Sequence, residues 1–364
     1  MKVLKVILSP MPKPDLPALR LANQQLSRPK FSQPVELVSF MGAVQAQDYA
    51  GAKWSLGVRL PGSTDRSIEQ ALANKTFLRT WALRGTLEFV AAADIRWIVS
   101  LVGSRVIASI QGRYRQLELD ESTLQRCNEL ILKALRQDPE LNRTTLLAML
   151  EQNGISTQGM RAPHILQRAS LEGLVCQTVA IKNNPTYILL DSLVPQPKLL
   201  PREEAIAELA KRYFASRGPA TLKDFAWWLG LPLAEAKTGL EAAQNNLIHE
   251  KIDGQVYWFP ESDAYNGYTQ GVFLLQEYDE YLLGYQDRSA VAGAKSMQMI
   301  SRSNGFNPYI LKNGQVAGTW RRTTSKKEVQ MNIYAPEFSQ AEMDELQAAA
   351  RRYGEFLEMP VKIS

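Results

Sequence analysis

Residues 203–216, EEAIAELAKRYFAS, place Ile206, Leu209, Tyr213 and Phe214 at helical spacing, and Gly218-Pro219 ends the pattern. Thr221 then stands as the cap of a short helix, TLKDFAWWLG, which closes at Gly230. Pro232 sits at the start of a third helix, LPLAEAKTGLEAA. Residues 247–259, LIHEKIDGQVYWF, alternate apolar and polar side chains about Asp253-Gly254, a pair favoured in two-residue hairpin turns. Three helices followed by a hairpin is the winged-helix pattern.

The same order recurs upstream. A helix is predicted over 121–137, Asn142 caps RTTLLAMLEQNG ending at Gly154, and a third helix fits 157–173. VCQTVAI and PTYILL then form a hairpin around Asn183-Asn184. A more divergent copy has helices over 15–27, 33–43 and 48–59, an additional helix at 65–74, and the hairpin FLRTWALRGTLEFVA with Arg84-Gly85 near its turn. The last hundred residues differ. VFLLQEYDEYLLGY, NPYILKNGQVAGTWRRT and VQMNIYAP read as strands, with Asn313-Gly314 as a hairpin turn, and an amphipathic helix over 338–355 is capped by Ser339. The predicted fold class is α+β: winged-helix modules at 1–115, 116–200 and 201–265, then a β-barrel-like domain with a terminal helix at 266–364. Proline-containing stretches near 195–201 and 260–268 mark the boundaries.

Composition narrows the chemistry. Hydrophobic residues make up 45% and charged residues 22% of the chain, ordinary values for a globular protein. No apolar run approaches the about 20 residues that span a bilayer. The opening MKVLKVILSPMPKPD has too short an apolar stretch for a signal peptide. Two cysteines, Cys127 and Cys176, and two histidines, His164 and His249, leave no disulfide framework and no zinc site, so neither metal nor cofactor is expected and the cytoplasm fits best. A net charge of +5 favours an anionic partner such as nucleic acid. Gly-rich phosphate loops, the GxSxG elbow and the zinc-deaminase pattern are absent. Catalysis would therefore rest on amides, carboxylates or a positioned water.

The segment Phe40-Met41-Gly42-Ala43-Val44-Gln45-Ala46-Gln47-Asp48 joins the second and third helices of the first module, where a winged helix faces DNA. Gln45 and Gln47 are two apart, so in an extended turn their amides emerge on one side, able to orient water or read a base edge. The alternative is a polar helix-terminal turn without a role. Lys53, Arg79, Arg84, Arg161, Arg168, Arg288, Arg321 and Arg322 are candidate phosphate contacts, the Arg321-Arg322 pair foremost. Trp54 and Trp227-Trp228 fall in helical patterns that favour core over stacking platforms. In the cluster Tyr278 to Tyr281, strand alternation would set Asp279 and Tyr281 on one face, lining a DNA channel; an equal alternative is a carboxylate paired with a nearby arginine.

Val44-Gln45-Ala46-Gln47, TWALRGTLEFV at 80–90, LQEYDEYLLGYQDR at 275–288 and GQVAGTWRR at 314–322 together resemble the AlkZ-like winged-helix DNA glycosylases, in order and over nearly the whole chain. The resemblance implies three tandem winged helices and a C-terminal β-barrel arranged as a C-shape around double-stranded DNA. It also implies excision of N7-alkylated purines, including bulky adducts and some interstrand crosslinks, by a monomer. The family's motif is Gln–apolar–Gln, or Gln–apolar–Asp in a sister branch, and Gln45-Ala46-Gln47 matches the first form. Relatives usually carry His after RGTL, where this chain has Glu88. The competing function is a non-catalytic winged-helix regulator, which would more often dimerise on a palindromic site.

Overall fold

The computed structural model describes residues 15–193, 199–261, 271–293, 296–298, 300, 307–325 and 327–363. The N-terminal MKVLKVILSPMPKP and most of the two expected boundary stretches lie outside them. The first part of the chain forms α1 (Leu16–Asn23), α2 (Pro34–Met41), β1 (Val44–Gln45), α3 (Tyr49–Gly57), α4 (Asp65–Ala73), β2 (Phe77–Trp81) and β3 (Leu87–Ala91). Then come α5 (Ile95–Ser109) and α6 (Gln111–Gln116), which the repeat pattern did not anticipate. Trp97, Ile98, Leu101 and Val102 of α5 are buried, so this helix is covered on most sides and lacks a clean amphipathic signature.

The second copy supplies α7 (Glu121–Gln137), β4 (Leu141–Asn142), α8 (Arg143–Gln152), α9 (Arg161–Leu171), β5 (Val175–Ile181) and β6 (Asn184–Leu189). Its third helix starts at Arg161 rather than 157, because Gly159 adopts φ +58° in the preceding turn. The third copy follows its expected order with α10 (Arg202–Arg217), α11 (Leu222–Leu229), α12 (Leu233–Ala243), β7 (Leu247–Ile252) and β8 (Gln255–Pro260). Thr221 caps α11 with a hydroxyl that accepts from the Asp224 N–H, and Gly230 ends it in the left-handed region.

The C-terminal part contains β9 (Val272–Leu275), α13 (Glu280–Leu283), β10 (Tyr309–Lys312), β11 (Gln315–Thr324), β12 (Val329–Tyr334), α14 (Gln340–Leu357) and β13 (Val361–Ile363). Among the described residues the sheet runs β13-β12-β11-β10-β9 without pairing of its two edge strands, a half-barrel in keeping with the barrel-like domain expected. One expectation needs correction here. The stretch 272–285 is not one strand. Tyr278 takes φ +64°, and Asp279 then caps α13 by accepting from the Tyr281 N–H at 2.9 Å. Asp279 and Tyr281 are 3% and 0% exposed, so strand alternation does not set them in a DNA channel.

The copies do not stand apart. Strands of the first two form one sheet, β1-β3-β2-β5-β6-β4, joined where Arg79 on β2 faces Gln177 on β5. Val44, Phe77 and Phe89 on one face of the first hairpin pack into a core with α14 and the C-terminal sheet. Ala43, Leu78 and Val90 on the other face pack with α5 and the 202–243 helices around Trp228. The short strand β1, bearing the first glutamine, therefore lies at the seam of two cores. Among the described residues, no helix is long and apolar enough to cross a membrane.

Candidate active site

Helix α2 ends at Gly42, whose φ of +77° turns the chain into β1, a backbone state that glycine adopts without a Cβ penalty. Strand β1 is the edge of its sheet, pairing only with β3, Val44 opposite Phe89 and Gln45 opposite Glu88. A buried edge N–H needs a partner from outside the sheet. The Gln45 N–H donates to Glu280 Oε1 at 2.9 Å. The other oxygen of Glu280 accepts from Arg217 Nε at 2.9 Å and from its terminal nitrogen at 2.6 Å. Arg217 also donates to the carbonyls of Met41 and Ala43, both at 2.8 Å. This ion pair, with side chains 0% and 1% exposed, thus grips the Met41–Gln45 backbone at three points.

The neighbouring carboxylate does similar work one turn away. Asp279 is held bidentately by Arg59 at 2.7 and 2.9 Å and accepts from Ser55 Oγ at 2.9 Å. Arg59 lies on the turn after α3 and also donates to both the backbone and side-chain oxygens of Gln24 at 3.0 Å. The paired-carboxylate alternative for Asp279 is the one the structure shows. Tyr281 donates to the Gly314 carbonyl at 2.9 Å, tying α13 to the C-terminal sheet.

Past β1 the chain leaves the ladder, and the two amides part company. Gln45 is 4% exposed, its Oε1 accepting from the Ala46 N–H at 3.1 Å, whereas Gln47 is exposed. The expectation that both emerge on one side is corrected: the Ala46 N–H still bonds Leu87 O at 2.7 Å, and only beyond it does the backbone reach the surface. Arg79 holds this exit, donating to the carbonyls of Ala46 and Gln47 at 2.9 and 3.1 Å and to Gln177 Oε1 at 3.0 Å. Gln177 in turn donates to the Tyr187 hydroxyl at 2.8 Å. Asp48 caps α3 by accepting from the Gly51 N–H at 2.9 Å, and any Cβ at Gly51 would collide with Asp48 and Gln276.

Gln47 opens onto a cleft of about 400 Å³ between the first hairpin and the second copy. Arg79, Trp81, Arg143, His164, Gln167 and Gln177 line it. A second cleft of about 440 Å³ on the other side of Asp48 holds Glu277, Arg321 and Arg322. Burial and then the Asp48 charge raise the Glu277 carboxyl above its usual range.

Most of the proposed phosphate contacts are committed inside the protein. Lys53 bridges Asp65 and Glu69, both at 2.8 Å, and Arg168 pairs with Glu121 and Glu172; both are buried and unavailable to a phosphate. Arg79 is buried on the backbone contacts above. Arg161 donates to the carbonyls of Ser156, Leu117 and Glu118, capping a turn. Half-buried Arg84 and Arg288 flank Trp227, their guanidinium carbons 4.5 and 5.9 Å from its ring, and Arg84 also bonds Trp228 O. Burial lowers the pKa of both arginines. Arg321 is exposed, and Arg322 is half-buried with a terminal nitrogen 3.7 Å from Asp48. Trp54 and Trp228 are core residues, 2% and 1% exposed.

Arg217, Arg59, Arg143 and Gln177 escaped the sequence reading, which marked Glu88 only as the departure from the family's His and Glu280 only as a member of the cluster Tyr278 to Tyr281. The only local signal of the ion pairs was the acidic pair inside EYDEY. Thiol chemistry is unavailable: burial pushes Cys127 up to about 11 and Cys176 up to about 12.

Residues 38–356 match the family described as DNA glycosylase AlkZ-like. A curated relative from Streptomyces sahachiroi, an interstrand DNA cross-link repair glycosylase, is 25% identical over 328 residues, covering 83% of this chain and 86% of the relative. The solved Streptomyces sahachiroi DNA glycosylase AlkZ has the same fold, with TM-score 0.77 and 21% identity over 96% of this chain and 98% of that one. The chain belongs to the AlkZ-like family of DNA glycosylases, enzymes that hydrolyse N-glycosyl bonds.

Proposed function

We propose that this glycosylase acts on cationic N7-alkylpurines in duplex DNA, releasing the base and leaving an abasic site. The observation that carries this reading is the exposed Gln47 amide on a backbone anchored by Arg217, Glu280 and Arg79. A glutamine is no useful proton acceptor. An N7-alkylguanine is already positive, so its departure neutralises it and leaves an oxocarbenium-like sugar. Such a reaction needs a positioned water and oxygen dipoles aimed at the sugar, which an anchored amide can supply. Undamaged bases leave poorly and are spared without a tight lesion pocket. The cross-link repair named for the Streptomyces relative extends the proposal to bulky adducts and interstrand crosslinks.

Gln45 and Gln47 are the catalytic pair in this reading, with exposed Arg321 and half-buried Arg322 as the cations that track phosphate. The three winged-helix modules at 1–115, 116–200 and 201–265 and the C-terminal domain at 266–364 would wrap DNA as a C-shaped monomer. Incubating the protein with duplex DNA carrying 7-methylguanine and measuring released base tests the proposal. Release without strand cleavage supports it, and no release favours the DNA-binding regulator.

Two binding results are expected. Affinity for duplex DNA should show little sequence preference and fall steeply with salt, with a log–log slope of about −0.9 per phosphate contact. A flat salt dependence in a filter or anisotropy titration would contradict the proposal. Replacing Arg321 and Arg322 together by Ala should weaken binding and make that slope shallower by up to about 2 units while the melting temperature stays put. An unchanged affinity would remove both from the DNA surface.

A further inference from the structure

Beside the amide pair lies a buried acid that forms no ion pair among the described residues. Glu88 on β3 is 2% exposed and stands directly opposite Gln45 on β1 and Thr80 on β2. Residues opposed across antiparallel strands share a face, with Cβ atoms about 4.5–5.5 Å apart. Gln45, Glu88 and Thr80 therefore form a polar row on the face turned toward the Trp228 core, and Thr80 Oγ1 in that row is buried without a partner. The charges around Glu88 are Glu280 on α13, Arg217 on α10 and Arg84 in the β2–β3 turn. Arg217 is already engaged with Glu280, and Arg84 with the Trp228 carbonyl.

The described contact to the Glu88 carboxyl comes from the hydroxyl of Thr86, not from a cation. Thr86 Oγ1 lies 2.8 Å from Glu88 Oε1 and 2.9 Å from the Leu83 carbonyl. A hydroxyl has one proton to give, and a carbonyl has none. Thr86 donates toward both Glu88 Oε1 and Leu83 O, so its single proton is shared and Glu88 receives only part of one neutral hydrogen bond in place of a cation. Electrostatics agree: burial, then the Glu280 carboxylate, push the Glu88 carboxyl up to about 8.

We propose that Glu88 is a positioning residue for the amide site, a neutral acid that holds the β1–β3 row in place and whose ionisation switches the site off. The inference rests on the glycosylase reading of the same site. An ionised Glu88 would add a second negative charge next to Glu280 and compete for Arg217. Glu280 and Arg217 hold the Gln45 N–H and the Met41 and Ala43 carbonyls, so the clamp on the motif would loosen.

The experiment is single-turnover release of 7-methylguanine from a defined duplex between pH 6 and 9, for wild type, Glu88→Gln and Glu88→Ala. Wild-type release should fall about tenfold by one pH unit above the Glu88 pKa. Glu88→Gln, which keeps shape and a donor but cannot ionise, should retain most of the neutral rate and lose that alkaline fall. Glu88→Ala should be slow throughout. Thermal melts supply a readout independent of activity. Folded Glu88 keeps its proton to higher pH than the unfolded chain, so wild-type stability relative to Glu88→Gln should decline from about pH 5 to about 8 and then level off. If base is released but the wild-type and Glu88→Gln profiles run parallel, the positioning role is overturned. A constant melting difference across the same range overturns the neutral acid. If no base is released at any pH, the glycosylase reading falls and takes this inference with it.

Discussion

Replacing Gln47 by Ala is expected to slow release of 7-methylguanine by about 10²-fold, the usual consequence of losing one preorganised dipole at a developing charge. DNA affinity should change little, because the amide acts on the sugar cation that forms in the transition state. Gln47 is exposed, and its Oε1 accepts a long 3.4 Å bond from the Leu87 N–H, so its loss leaves the fold intact. Gln47→Asp should keep activity, since an ionised carboxylate at this open position also holds water and adds favourable charge, as the sister motif implies. No motif places a lysine or terminal amine to attack the sugar, so strand cleavage by a Schiff base is not expected. Single-turnover kinetics on one defined lesion measure all of this. If Gln45→Ala and Gln47→Ala both excise at the wild-type rate, the active site lies elsewhere.

The second large effect is on stability. Arg217→Ala leaves Glu280 buried without its cation and strips the Met41 and Ala43 carbonyls of their donor. Breaking a buried ion pair from one side typically costs about 3–5 kcal/mol. Urea unfolding should show a loss of stability of that size, while replacing the exposed Arg321 on strand β11 by Ala should stay within about 0.5 kcal/mol. Replacing both partners, Arg217→Met with Glu280→Gln, should recover part of the loss, because no unpaired charge is then buried. Release should nevertheless remain slow in the double variant, since the backbone that carries Gln45 has lost its anchors. A loss of less than about 1 kcal/mol for Arg217→Ala would show that the pair does not hold the segment.

These two predictions separate what chemistry is done from what keeps it in place, and the sequence spoke unequally about them. Caps and turns were legible: Asn142, Thr221 and Ser339 each cap the helix they precede, and Asp253-Gly254 and Asn313-Gly314 turn their hairpins with positive φ. These signals are local, fixed by hydrogen bonds and backbone freedom within a few residues. Helix α5 was missed because its burial on most sides erases the amphipathic stripe. The strand expected over 272–285 failed because an apolar run interrupted by Tyr278-Asp279 has no period that distinguishes a strand from a turn and a short helix.

The site divides along the same line. The sequence by itself marked the Gln45-Ala46-Gln47 segment, since it is a contiguous motif in the turn a winged helix presents. It also marked EYDEY as unusual without saying why. Which cations were committed inside the protein was not legible: Lys53, Arg79 and Arg168 look like any surface charge in one dimension, yet each is buried with at least one partner 12 to 98 residues away. The same holds for Arg217 with Glu280 and Arg59 with Asp279, separated by 63 and 220 residues. A buried charge is tolerated only where a partner meets it, and only folding brings together side chains that far apart. Local patterns therefore determined the elements and named the amides, and tertiary packing alone decided which charges clamp the motif, which are committed to partners inside the protein, and which acid is buried beside it.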